Sequence, residues 1–198
     1  MWLRFALFGS LAVALLHMVV LVATGQDPVA TPISQLSRYE LGAVHTAGLL
    51  LFGAAHIALA VGLGRLDHGR MWPIARAVLA ASGIALFYVA YYFATVSQET
   101  LTAAGANDPL WIVASLTGIA MGVLQPGLSR LSPQLGLFSA LCLGIWLLLV
   151  PLILLVNEQW LGAYERIVGC VYVVWMAGIS SKLLFLTGVM KSDASTPS

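Results

Sequence analysis

Residues 135–156 read LGLFSALCLGIWLLLVPLILLV and contain no charged side chain. A bilayer hydrocarbon core of about 30 Å is crossed by roughly 20 apolar residues in a helix, so this stretch is long enough to span and too apolar to be covered in water. Barrel strands run near ten residues and alternate in polarity, which excludes that alternative here. Working outward, five more runs of the same kind appear: about Phe5 to Thr24, Gly42 to Gly64, Ile74 to Val96, Leu110 to Gln125 (Leu128 at the furthest), and Ile167 to Gly188. The run at Phe5 exceeds a signal-peptide core of about 7–15 residues and no A-x-A site follows it, so it reads as a retained helix. The expected fold is all-α, a polytopic bundle of six transmembrane helices. Residues 1–191 form one domain, and 192–198 form a short polar, disordered cytoplasmic tail.

Composition agrees. Of 198 residues 60% are hydrophobic and 9% charged, against roughly 25% charged in soluble domains, and the mean hydropathy is +0.94. A formal net charge of +1 gives no field to gather an anionic polymer, and a nucleic-acid partner is excluded. Cys142 and Cys170 lie in apolar runs without C-x-x-C spacing and read as small buried hydrophobes.

Lys and Arg placement orients the bundle. With both termini cytoplasmic, Arg4, Arg65, Arg70, Arg76, Arg130, Lys182 and Lys191 fall inside and only Arg38 and Arg166 outside. The acids are the mirror image: Asp27, Glu40, Glu99, Asp108, Glu158 and Glu165 fall outside, although acids contribute little to topology. The localisation expected from this pattern is a bacterial inner membrane. Small residues mark expected helix contacts: Gly118 and Gly122 as G-x-x-x-G, and Gly136, Ala140 and Gly144 as a stripe. Pro151 is expected to kink the fifth span near its outer end. Phe87, Tyr88, Tyr91, Tyr92 and Phe93 read as belt and packing aromatics. Residues 62–66 (GLGRL) and 127–131 (GLSRL) repeat at an offset of 65, which common helix-end chemistry accounts for.

The first outer loop, residues 26–41, reads QDPVATPISQLSRYEL. Thr31-Pro32 has the form of an N-cap and first helical proline. Ser37 and Glu40 have capping-box spacing before the second span. The loop is expected to be ordered and to fold over the outer mouth of the bundle. Asp108-Pro109 is a second cap-and-start pair, and Glu165 with Arg166 opens the sixth span as an interfacial ion pair.

The segment Pro32-Ile33-Ser34-Gln35-Leu36-Ser37, followed by a Gly-rich apolar helix, resembles the bacterial membrane-protein family called domain of unknown function 998. The segment Tyr164-Glu165-Arg166-Ile167-Val168 with Trp175 downstream resembles that family's closing segment and its Trp-bearing last helix. The resemblance implies about six spans and no particular reaction. Histidines that family members carry near the third and fourth spans do not transfer, because this region holds Glu99 and Asp108 and no histidine.

The histidines are His17, His45, His56 and His68. His68 sits among inner-loop charges and reads as solvated. Ionisable residues within spans face the bundle interior and are functional candidates. His45 and His56 share a helix face roughly 16 Å apart, too far to hold one ion together. His17 and His45 differ in depth by roughly 6 Å and can meet across adjacent helices. A neutral histidine bonded to a neighbouring carbonyl or hydroxyl is the simplest reading of each. No H-E-x-x-H, H-x-x-E-H or C-x-x-C-H signature is present, and no metal or cofactor is called for.

Four functions fit. The first is binding or handling of a lipid-like, amphiphilic small molecule, with membrane lipids as partners. The second is an intramembrane metal-dependent hydrolase using His17, His45 and an outer carboxylate such as Glu40 or Asp27. The third is a two-histidine haem electron carrier, and the fourth an assembly partner without a pocket. The amphiphile reading rests on the acidic outer face, the serine-bearing polar loop and the few charges within the spans, and is preferred to ion-coupled transport because no span carries paired buried acids or a mid-membrane break. Its site is expected in the outer half between spans one, two and six beneath the first loop, built from Asp27, Ser34, Arg38, Glu40, His45, Glu165 and Arg166. Arg38 and Arg166 oppose the positive-inside bias, so each is expected to have a local partner, Glu40 and Glu165 being nearest in sequence.

Overall fold

The computed structural model describes residues 1–64, 66, 70–95 and 108–193, and the side chains of these except 34, 38, 108, 109 and 189–193. The expectations for Arg65, Asp67, His68, Glu99 and the tail beyond 193, and those for the side chains of Ser34, Arg38, Asp108 and Lys191, lie outside what is described. All regular structure among the described residues is helical: α1 (Trp2–Ala23), α2 (Gly42–Leu63), α3 (Trp72–Thr95), α4 (Asp108–Leu131), α5 (Pro133–Leu152) and α6 (Glu158–Asp193), with short 3-10 helices at Ile33–Arg38 and Ile153–Leu155. Each of the six is long and apolar enough to cross a membrane, which makes this a multi-pass membrane protein.

Sequential neighbours pack on one another, and α6 returns to α1, closing the six into a ring. The six helices run alternately up and down. One end carries the N-terminus and the α2–α3 turn (the terminal end), and the other carries the first loop (the loop end). The core holds Trp175, Leu59, Leu79, Met121, Leu124 and Ile179, all fully buried. Two tryptophan indoles within it find acceptors. Trp175 donates its indole N–H to Ser139 Oγ at 3.0 Å, and Trp146 donates to the carbonyl of Ala114 at 3.1 Å. At the terminal end, the last carbonyls of α2 lack helical partners. Trp72 Nε1 donates to Leu63 O at 2.8 Å and Arg76 Nε to Ala60 O at 2.9 Å, so α3 caps α2.

Helix α1 stops for a local reason. Gly25 takes φ +64°, its N–H reaches Val22 O and the Gln26 N–H reaches Leu21 O, the paired closure that glycine just past a helix end permits.

Several boundaries differ from the expectations. Helix α4 runs through Pro126 to Leu131 rather than ending near Gln125; a proline deletes one helical hydrogen bond, and a packed transmembrane helix tolerates that loss. Helix α5 gives way to a 3-10 turn after Leu152, one residue beyond Pro151. Helix α6 starts at Glu158 rather than near Ile167, with Asn157 Oδ1 accepting from the Gln159 N–H at 3.3 Å. Glu165 and Arg166 therefore lie two turns inside α6. The Ser37–Glu40 capping box does not form. Leu41 is the N-cap of α2 without a side-chain bond, Ser37 Oγ donates to Phe93 O at 3.5 Å on α3, and Glu40 is exposed.

The expected glycine contacts form in part. A Cβ on Gly136 would lie 2.6 Å from Ser129 Cα of α4, so that end of the stripe does meet its neighbour, whereas among the described residues one on Gly118 would meet only the Trp146 ring at 3.3 Å, one on Gly122 only Leu143 at 3.8 Å, and one on Gly144 nothing within 4 Å. Backbones also approach closely at Gly53 of α2 and Gly83 of α3, where a Cβ on either would lie 2.7 or 2.6 Å from the other's carbonyl oxygen.

Candidate functional site

The first loop is strapped to the loop end of α6 through backbone groups. Ala163 N–H donates to Val29 O at 2.9 Å. Arg166 Nη1 donates to both Pro28 O and Thr31 O at 2.8 Å. Glu165, buried, accepts the Ile33 N–H on Oε2 at 2.6 Å. The Ile33–Arg38 helix has no side-chain cap of its own, so a carboxylate from α6 takes the role expected of Thr31, satisfying an otherwise orphaned first-turn donor. Leu36 then seals the strap, fully buried against Val20 and Leu21 of α1. Asp27 holds the start of the loop, its Oδ1 accepting from Val29 N–H at 2.8 Å.

Beneath this strap, at the centre of the ring, lies a cavity of about 350 Å³. Its walls are almost wholly apolar, with Phe52, Trp111, Trp146 and Val150 among them. Polar side chains meet it at the loop end, where His17, His45, Glu165 and Arg166 line it, and deeper at Tyr172. The exposed Met18, Cys170 and Val174 also line it, so the cavity reaches the apolar flank of the bundle.

The rings of His17 and His45 touch, their centroids 5.6 Å apart and tilted by 60°. His45 is 3% exposed. Both Nε2 atoms are buried without a hydrogen-bond partner among the described residues, and so are Nε and Nη2 of Arg166. Buried polar atoms without partners are few in native proteins and each calls for an explanation. His56 is different. Its Nδ1 bonds Phe52 O at 2.7 Å and its Nε2 bonds the Tyr172 hydroxyl. Since the carbonyl can only accept, Nδ1 carries the hydrogen and the tyrosine donates to Nε2. This is the satisfied core histidine anticipated for each, and it ties α2 to α6 under the cavity.

A family model described as "Protein of unknown function (DUF998)" matches residues 6–182. The chain belongs to that family. No curated protein and no solved structure matches it.

Both patches that resembled DUF998 in sequence meet at the strap: residues 32–37 cover most of its 3-10 helix (Ile33–Arg38), and within residues 164–168 Glu165 and Arg166 hold it to α6. Of the residues singled out beforehand in this DUF998 chain, His45, Glu165 and Arg166 come together with His17 at the cavity. Asp27 and Glu40 are exposed on the loop and do not line it. The cavity also extends to α4 and α5 through Trp111 and Trp146, beyond the expected site between spans one, two and six. Sequence reasoning missed Tyr172, Phe52 and the two tryptophans, which belong to no motif and come together only when the ring closes. Glu165 and Arg166 are not simply each other's partners, as their adjacency implied; both hold loop backbone. No group of three His, Cys, Asp or Glu side chains converges among the described residues, and the two imidazoles abut directly. The hydrolase and haem alternatives gain nothing from this arrangement.

Proposed function

We propose that this protein binds a lipid-like, amphiphilic small molecule in the cavity beneath the first loop, with the polar group at His17, His45 and Arg166 and the chain between the apolar helices. The observation that carries the reading is the combination in one cavity of apolar walls with buried polar atoms, gathered at one end, that have no partner among the described residues. Small-molecule sites have this composition, a mostly apolar lining with a few convergent polar groups, at roughly 300–1,000 Å³. A polar group left bare in such surroundings costs about 1–3 kcal/mol, which a bound headgroup recovers.

Filling the cavity tests this. Gly169 lines it, and among the described residues a Cβ there meets only Ile33 Cδ1 at 3.7 Å, so Gly169→Leu projects its side chain into the space without a clash with the described backbone. Native mass spectrometry of the purified protein is expected to show a co-purifying amphiphile whose occupancy falls at least tenfold in Gly169→Leu at unchanged melting temperature. No adduct in wild type, or equal occupancy in both, overturns the reading.

We further propose that the protein sits in a bacterial inner membrane with its loop end outward and both termini cytoplasmic. The Lys and Arg distribution supports this. In intact cells an impermeant thiol reagent is expected to label Glu158→Cys and spare Arg70→Cys, both scored in a background lacking Cys142 and Cys170. Labelling at position 70 alone reverses the orientation.

A further inference from the structure

Arg166 spends one nitrogen on the loop and leaves a particular pair without a partner among the described residues. Nη1 makes both loop bonds, to Pro28 O and Thr31 O. Nε and Nη2 are buried with no hydrogen-bond partner among the described residues. Those two N–H groups lie on the same edge of the guanidinium plane and point in parallel, the side-on fork that matches two oxygens of one carboxylate or phosphate. A neutral hydroxyl or a single carbonyl fills only half of it.

The other polar side chains at this end are one carboxylate and two imidazoles. Glu165 Oε2 is turned to the Ile33 amide, so at least one of its oxygens is engaged with the loop. His45, 3% exposed, and His17 each bring an Nε2 with no partner among the described residues. No bond fixes the tautomer at these nitrogens, so each can carry its hydrogen and donate. Charge-assisted hydrogen bonds of this kind are roughly twice as strong as neutral ones, and they strengthen in surroundings of low dielectric. Below them the walls are apolar, and a volume of about 350 Å³, at the small end of roughly 300–1,000 Å³ for ligand sites, suits one chain rather than two.

We propose that the ligand is a single-chain amphiphile with an anionic, bidentate head of the carboxylate or phosphate type, seated on the Nε–Nη2 edge of Arg166 and flanked by His17 and His45. This rests on the amphiphile reading above and makes it specific. The head faces the strap, and the chain runs toward Tyr172.

Trp111 and Trp146 line the cavity and report on an occupant that quenches their fluorescence. The probes are 11-bromoundecanoate and 11-bromoundecanol, which share a chain and differ in the head, added to protein in vesicles of neutral phosphatidylcholine. Specific quenching is the part displaced by excess unbrominated undecanoate. The carboxylate is expected to bind saturably and at least tenfold more tightly than the alcohol. Arg166→Lys keeps the charge but loses the fork, and is expected to bring the carboxylate to within about threefold of the alcohol. The comparison of heads on wild-type protein needs no variant, so a poorly folding Arg166→Lys leaves the test standing. Equal affinity for both heads overturns the anionic head and leaves the amphiphile reading intact. Absence of saturable quenching by either probe overturns that reading and this inference with it. Displacement by millimolar inorganic phosphate as effective as that by undecanoate assigns the fork to a free anion and overturns the amphiphilic ligand.

Discussion

Gly162→Val is expected to release the first loop from the bundle. A Cβ at position 162 would lie 2.4 Å from Thr31 O, 2.7 Å from Thr31 C and 2.8 Å from Val29 O. All three are backbone atoms, so no rotamer change relieves the clash, and either the loop or the start of α6 must move. Moving the loop breaks four bonds at once: Ala163 to Val29, Arg166 to Pro28 and to Thr31, and Ile33 to Glu165. Two of those donors belong to a guanidinium and one acceptor to a carboxylate, and hydrogen bonds to charged groups contribute about 1.5–3 kcal/mol each. The loss therefore exceeds that of an ordinary overpacking substitution, about 1–3 kcal/mol. Hydrogen exchange at the amides of Ile33 and Ala163 is expected to accelerate by two or more orders of magnitude, while amides of the α2–α3 core keep their protection. Unchanged protection at both amides contradicts the strap. Because the strap roofs the cavity, the same variant is expected to lose bound amphiphile.

The fold was legible for a simple reason. A span needs a minimum number of consecutive apolar residues, and six runs met it, so the existence of six helices follows from run length alone. Helix ends were less legible, because a run of apolar residues measures lipid contact and not helix length. Helix α6 carries Glu165 and Arg166 inward, and a reading that stops at the first charge places its start two turns late. The meeting of His17 and His45 was readable from depth, since both sit near the loop ends of consecutive helices. Their companion Arg166 was readable as a basic residue at the wrong end for topology. Its partners were not. They are carbonyls of Pro28 and Thr31, 138 and 135 residues away, and a backbone carbonyl has no signature in sequence. The same limit hid the cap that Glu165 places on the Ile33 amide and left Ser37 and Glu40 looking like a capping pair. The Tyr172–His56 bond was hidden differently: it depends on the closure of the ring, which no local pattern encodes.

Gly83→Leu is expected to destabilise the helical ring strongly, and Gly144→Ala hardly at all. The spacing pattern would rank them otherwise, since Gly144 belongs to a recognisable small-residue stripe and Gly83 does not. Geometry reverses the order. A Cβ on Gly83 would stand 2.6 Å from Gly53 O, 2.9 Å from Ile57 Cγ1 and 3.1 Å from His56 Cβ. In lipid, helices associate through close packing rather than a hydrophobic drive, so parting α2 from α3 removes contact that nothing else replaces. The expected cost is at or above the top of the roughly 1–3 kcal/mol range for overpacking, read as a lowered melting temperature and loss of the monodisperse peak in detergent. The displacement also has a direction. Helix α2 carries His45 at the loop end and His56 below it, so pushing α2 off α3 disturbs the His56–Tyr172 bond and the cavity wall together, and amphiphile binding is expected to fall in step with stability. Gly144→Ala adds a methyl where nothing among the described residues lies within 4 Å and removes the helix-interior cost of glycine, about 1 kcal/mol, so its melting temperature is expected to stay level or rise. Equal tolerance of Gly83→Leu and Gly144→Ala would mean that α2 and α3 do not meet at these glycines.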